Sequence, residues 1–143
     1  MKFLIPIIAA FSLTSCALLD STSVKYNDDI QYIVSKTNSS VKLVATSILY
    51  LSKDQADKDK KKLIMNNLAD RIDSFNLPTH PTPEVVIENI VAVLPDKTHW
   101  KFLATNIAEN YEVFLTENEK VTVDTVSLFF TEVSKALREV SLK

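Results

Sequence analysis

The stretch 28-DDIQYIVSKTNSSVKLVATSILYL-51 decides the fold. Within it Ile30, Val34, Thr37, Val41, Val44, Ile48 and Leu51 follow spacings of 4, 3, 4, 3, 4 and 3, the seven-residue repeat of a packed helix seam. The polar run Thr37-Asn38-Ser39-Ser40 could interrupt that helix. Because the apolar seam stays in phase on both sides of it, the spacing predicts one long helix from about Asp28, with no more than a local bend.

Working toward the C-terminus, the same rhythm returns four times. The mixed-charge run Lys53–Lys62 reads as a solvated turn and the opening of a second helix, with Asp early and Lys later as the helix dipole prefers. That helix continues through Ile64, Leu68, Ile72 and Phe75 and must end before Pro78, since three prolines between Pro78 and Pro83 forbid a continuous helix. Thr82 then suits an N-cap, Pro83 a first helical residue and Glu84 the first turn. Val86, Ile87, Ile90, Val91 and Leu94 carry the third helix as far as Pro95; their β-branching would also suit a strand, but no partner strand is evident. Asp96 or Thr98 can cap a fourth helix bearing Trp100, Leu103, Ile107, Tyr111 and Phe114. After the polar connector Thr116–Lys120, Thr122 or Asp124 can cap a fifth, bearing Val126, Phe129, Phe130, Val133, Leu137 and Val140. Phe129 and Phe130 point about 100° apart, so the fifth helix is expected to pack between two neighbours.

Composition agrees with an all-α fold, a compact bundle of about five helices. The chain contains no glycine, where average usage of about 7% would give roughly ten. Positions of positive φ are therefore rare, which excludes tight glycine hairpins, phosphate-binding glycine loops and dinucleotide fingerprints. The formal charge is −2, with no concentrated basic face legible in the sequence, so nucleic acid is not expected as a partner.

The N-terminal segment has a different logic. Lys2 precedes an apolar run from Phe3 to Phe11, and small residues follow, the order of a secretory signal. The run is too short for a permanent span, which needs about 20 residues. Leu13-Thr14-Ser15-Cys16 resembles the lipobox of bacterial lipoproteins, and the resemblance covers only about the first twenty residues. It implies cleavage before Cys16, a diacylglyceryl thioether on that residue, and a mature chain anchored in the cell envelope. Ala17 and Leu18, in place of an acidic residue, imply sorting to the outer membrane where the host has two membranes, and otherwise the outer face of the cell membrane. Cys16 is the only cysteine in the chain, and a lone thiol in an oxidising compartment is a liability unless it is used. Two or more acyl chains, at about 0.8 kcal/mol per buried methylene, anchor stably. The expected organisation is a signal peptide over 1–15, a lipidated N-terminus and tether over 16–27, and a helical domain over 28–143.

Chemistry is sparse in the remainder. His80 in the proline loop and His99 near a helix start have no metal-ligand spacing, and lipidation of Cys16 leaves no thiol for catalysis. Asp70 with Asp73 and Glu109 with Glu112 share helical faces and could in principle act as acid and base, but their strongly polar neighbours favour a solvated face. Trp100, beside His99, could line a ligand cleft, but it falls in phase with the apolar stripe and reads first as core. Lys60, Lys61 and Lys62 could attract lipid phosphates. The chain is therefore expected not to be an enzyme and to carry no cofactor, metal or catalytic residue. The leading expectation is an envelope lipoprotein whose helices bind another protein or a cell-wall component. The alternatives are a carrier with an apolar cavity lined by Phe102, Phe114, Phe129 and Phe130, and a cell-wall hydrolase, which would need two carboxylates or a histidine–carboxylate pair converging in a cleft.

Overall fold

The computed structural model describes residues 22–75, 80–118 and 121–143, with side chains from Ile30 onward. The described residues form an all-α fold: α1 (Thr22–Tyr50), α2 (Gln55–Asp73), α3 (Pro83–Val91), α4 (Thr98–Glu117) and α5 (Val123–Ser141), without a strand. The compact body runs from Ile33 to Lys143. The expected signal peptide, Cys16 and the first part of the tether lie outside the described residues. The rest of the tether, 22–27, is helical: α1 starts six residues before Asp28, since neither glycine nor proline stands there to stop it.

Short-range chemistry sets the helix ends. Asp54 Oδ1 accepts the N–H of Asp57 at 2.8 Å and starts α2. Thr82 caps α3 by accepting from Val85 at 3.2 Å, with Pro83 in the first turn. The β-branched residues of this segment are thus helical. α3 stops at Val91, short of the expected Leu94, and the chain winds on more tightly, with Val93 N donating to Ile90 O at 3.2 Å and Leu94 N to Val91 O at 3.1 Å. Pro95 disfavours α geometry in the residue before it. Val91 is consequently exposed rather than inward. At α4 neither expected cap is used. Asp96 is drawn instead to Lys101 at 2.8 Å, Thr98 lies inside the helix, and Lys97 occupies the cap position with no side-chain hydrogen bond. For α5 the cap is Thr122, which forms a reciprocal box with Thr125, while Asp124 sits in the first turn.

The seams largely meet. Val34, Thr37, Val41, Val44 and Ile48 of α1 are buried, as is Ile30, and Ile33, Ala45 and Leu49 widen the stripe. Leu51 departs from the expectation at 67% exposed, because α1 ends at Tyr50 and the seam has no helix to ride on. All five expected residues of α4 and all six of α5 are buried. Phe129 lies at the centre of an aromatic cluster, with ring centroids 5.3 Å from Tyr111, 5.2 Å from Phe114 and 5.2 Å from Phe130.

Polar ties give the helices their relative directions. Asn66, Asp70 and Asp73 of α2 meet Ser141, Arg138 and Ser134 of α5, in opposite order, so the two run antiparallel. Thr37 and Ser40 of α1 meet Asn110 and Asn106 of α4, again in opposite order. Asn38 and Lys42 meet Glu132 and Glu139 of α5 in the same order, so α1 and α5 run the same way. The polar run in α1 is therefore no break: it supplies side chains that fix the position of two neighbours. Its Thr37 hydroxyl donates back to Ile33 O at 2.9 Å, which lets the residue be buried within the helix.

Candidate functional site

A cleft of about 380 Å³ opens where α1 ends, α2 begins and α4 begins. Its polar lining comes from Lys53, Asp57, Lys60 and Lys61 on one side and Lys97 and His99 on the other, with Trp100 among its apolar walls. Local structure explains each position. Asp54 starts α2, and successive residues turn about 100°, so the three consecutive lysines Lys60, Lys61 and Lys62 cannot share one face. Lys60 and Lys61 line the cleft, whereas Lys62 is not part of its lining. The expected three-lysine patch is thus divided.

Lys61 is turned inward. Its Nζ lies 3.2 Å from Asp57 Oδ2 and donates to Ile48 O at 3.3 Å, and the residue is only 8% exposed. Since Ile48 is in the last turn of α1, Lys61 brings a cation from α2 to the negative end of the α1 dipole. The Asp57 carboxylate also accepts the backbone N–H of Lys53 at 3.0 Å. That hydrogen bond and the Lys61 ammonium hold its carboxyl below the usual carboxylate range, against an opposing effect of burial.

Across the cleft, His99 packs against Trp100 with ring centroids 5.2 Å apart. Burial is the main cause that keeps its imidazole below the ordinary value, and the Lys61 and Lys97 ammoniums add to it. The Nε2 atom of His99 is shut off from solvent without a hydrogen-bond partner. Trp100 is 2% exposed, so it is both a core residue, as its phase in the sequence implies, and part of the cleft wall.

The other residues singled out in the sequence do not join this group. His80 is exposed. Asp70 and Asp73 are both gripped by Arg138, at 2.6 Å each, and Asp73 also accepts from the Ser134 hydroxyl at 2.6 Å, an arrangement that braces α2 on α5. Glu109 and Glu112 are exposed on α4. Among the described residues no group of three His, Cys, Asp or Glu side chains could hold a metal ion. Phe114, Phe129 and Phe130 pack ring on ring, but Phe102 is 61% exposed, so the four do not line one cavity. Phe102 is two residues, about 200° of helix, from Trp100 and was never in phase with the stripe of Trp100, Leu103 and Ile107, so its exposure follows from the spacing.

The sequence offered His99 and Trp100 as a cleft wall but not the lysines facing them, because the cleft's charges come from three separate segments. Lys53, Lys60 and Lys97 become neighbours only where the α1–α2 turn, the first turns of α2 and the start of α4 border the same cleft. No protein-family model, curated protein or solved structure matches this chain.

Proposed function

We propose that this chain is a lipid-anchored bacterial envelope lipoprotein whose helical body is a non-catalytic module that engages a protein or cell-wall partner. The reading is carried by the sequence Leu13-Thr14-Ser15-Cys16, in which the chain's one cysteine stands directly after a basic, apolar and small-residue leader. No helix among the described residues is long and apolar enough to cross a membrane, and attachment in this reading runs through the lipid on Cys16.

Two features of the body support the second half of the reading. Of the two carboxylate pairs singled out in the sequence, Asp70 and Asp73 are taken up by Arg138, and Glu109 and Glu112 stand exposed on α4. The interlocked rings of Tyr111, Phe114, Phe129 and Phe130 favour a packed module over a carrier for an apolar ligand. The surface also carries apolar side chains: Leu43 is 70% exposed and Phe102 61%. Ser40 bonds Asn106 across the antiparallel α1–α4 pair, so Leu43 and Phe102 lie at about the same level of it. Exposed apolar groups at one level of a helix pair suit a contact surface.

Metabolic labelling with palmitate tests the anchor. Label is expected in the wild type and absent in Cys16→Ser, and mass spectrometry is expected to find a mature N-terminus at Cys16. An unmodified Cys16 with residues 1–15 still attached would overturn it. For the module, a photoreactive residue at position 102 is expected to capture a discrete envelope species that the same residue at position 84, on α3, does not. Equal capture at both positions rejects the proposed surface.

A further inference from the structure

We propose that the cleft between the α1–α2 turn and the start of α4 is a binding site for a phosphate-bearing anion. Four lysines, Lys53, Lys60, Lys61 and Lys97, line it against a single carboxylate, Asp57, in a chain whose formal charge is −2. That carboxylate is already committed to Lys61 and to the Lys53 backbone. Among the described residues Lys53, Lys60 and Lys97 enter no ion pair. Three unneutralised ammoniums around one hollow repel one another, and an incoming anion relieves that repulsion while the low-dielectric wall focuses the field on it.

The start of α4 adds donors at the same place. Lys97 caps the helix with no side-chain hydrogen bond, so no side chain accepts from the first N–H groups of α4, and the helix dipole puts partial positive charge there. Every other capped helix of the body, α2, α3 and α5, satisfies its first turn with an Asp or Thr oxygen. His99 also lines the cleft. Lysine ammoniums and a helix start are together the donor set of a phosphate site. At about 380 Å³ the cleft admits a phosphate with part of the group that bears it. Both a lipid headgroup and a soluble phosphate ester offer that chemistry, and the site requires no lipid on Cys16.

Trp100, the chain's single tryptophan, forms part of the wall and serves as a built-in reporter. The purified full chain in detergent is titrated with inorganic phosphate, and with chloride at matched ionic strength, while Trp100 fluorescence is followed. A saturable change is expected with phosphate alone. Lys53→Gln and Lys97→Gln are each expected to weaken it by roughly two- to fivefold, the worth of one partly screened charge pair, and Lys36→Gln on α1 to leave it unchanged. In a second arm the chain is reconstituted in phosphatidylcholine vesicles with or without phosphatidylglycerol. A change in Trp100 that requires phosphatidylglycerol and is lost in Lys97→Gln supports the site with a lipid ligand. A response to inorganic phosphate but not to the anionic lipid supports it with a soluble one. Absence of a saturable response in both arms, or equal responses in wild type and both cleft variants, overturns the proposal. Circular dichroism of each variant ensures that a lost response is counted only for folded protein.

Discussion

Arg138 Nη2 stands 2.6 Å from Asp70 Oδ1, and its second terminal nitrogen reaches Asp73 Oδ2 at the same distance. One guanidinium thus spans two carboxylates a helical turn apart, which is the spacing a planar fork matches and a lysine does not. All three groups are substantially exposed, so solvent screens the interaction. Arg138→Met is expected to destabilise the body by about 1 kcal/mol at low salt, well below the 3–5 kcal/mol of a broken buried pair, and by less at high salt. Asp73→Asn should cost more than Asp70→Asn, because Asp73 also holds the Ser134 hydroxyl. Urea unfolding of the three variants at two salt concentrations checks the order. An Arg138→Met loss that does not shrink with salt would contradict the screened-fork account.

His99 links stability to acid. Burial, followed by the Lys61 and Lys97 ammoniums, holds its imidazole below the ordinary value of 6.5. The unfolded chain therefore takes up a proton on His99 at a pH where the folded chain does not. The contribution is present above pH 6.5 and is lost as pH falls through the depressed folded value. Melting temperature is expected to drop below pH 6.5 in the wild type, and this component of the slope to vanish in His99→Gln. An unchanged acid slope in that variant would place its origin elsewhere.

The fold was far more legible than the site, and particular residues show why. Helix seams are written at fixed spacing along one segment, so the buried positions of α4 and α5 could be read directly from Trp100, Leu103, Ile107 and the Phe129-Phe130 pair. Errors occur where a helix stops: Leu51 keeps the phase but lies beyond the end of α1, and Val91 sits where α3 tightens ahead of Pro95. The N-cap of α4 was misread because Asp96 has a competing partner in Lys101, a contest that spacing alone does not rank. The cleft needed Lys53, Lys60 and Lys97 in one place, and only tertiary packing brings them there. Cys16 follows the opposite course: a linear motif defines it, and it lies outside the described residues.

Phe129 touches three other rings and is fully buried, whereas Phe102, also a phenylalanine, stands mostly in solvent. The two therefore make a controlled pair. Phe129→Ala is expected to cost about 3–5 kcal/mol, a large share of a typical total of about 5–15 kcal/mol. Phe102→Ala should fall within about 0.5 kcal/mol of wild type. Chemical denaturation monitored by circular dichroism measures both. Similar losses at the two sites would mean that the ring cluster is not the centre of the packed body.

Tyr111 ties Pro81 to α4: its hydroxyl donates to Pro81 O at 2.8 Å while its ring lies among Phe114, Phe129 and Phe130. Burial pushes its phenol from the ordinary 10.0 up to about 12. The sign follows from proton uptake: above pH 10.0 the unfolded phenol ionises and the folded one does not, so ionisation favours unfolding. Stability from Tyr111 is full below pH 10.0 and declines as pH rises toward about 12. Tyr111→Phe removes the hydrogen bond to Pro81, at an expected cost of about 0.5–1.5 kcal/mol near neutrality. The same variant should lack this alkaline component, so its deficit relative to wild type narrows as pH is raised. Tyrosinate absorbance provides the independent readout, since the late ionisation step approaching pH 12 should be present in the wild type and missing in Tyr111→Phe. A constant deficit across that range, with the late step retained, would show that some group other than Tyr111 resists the base.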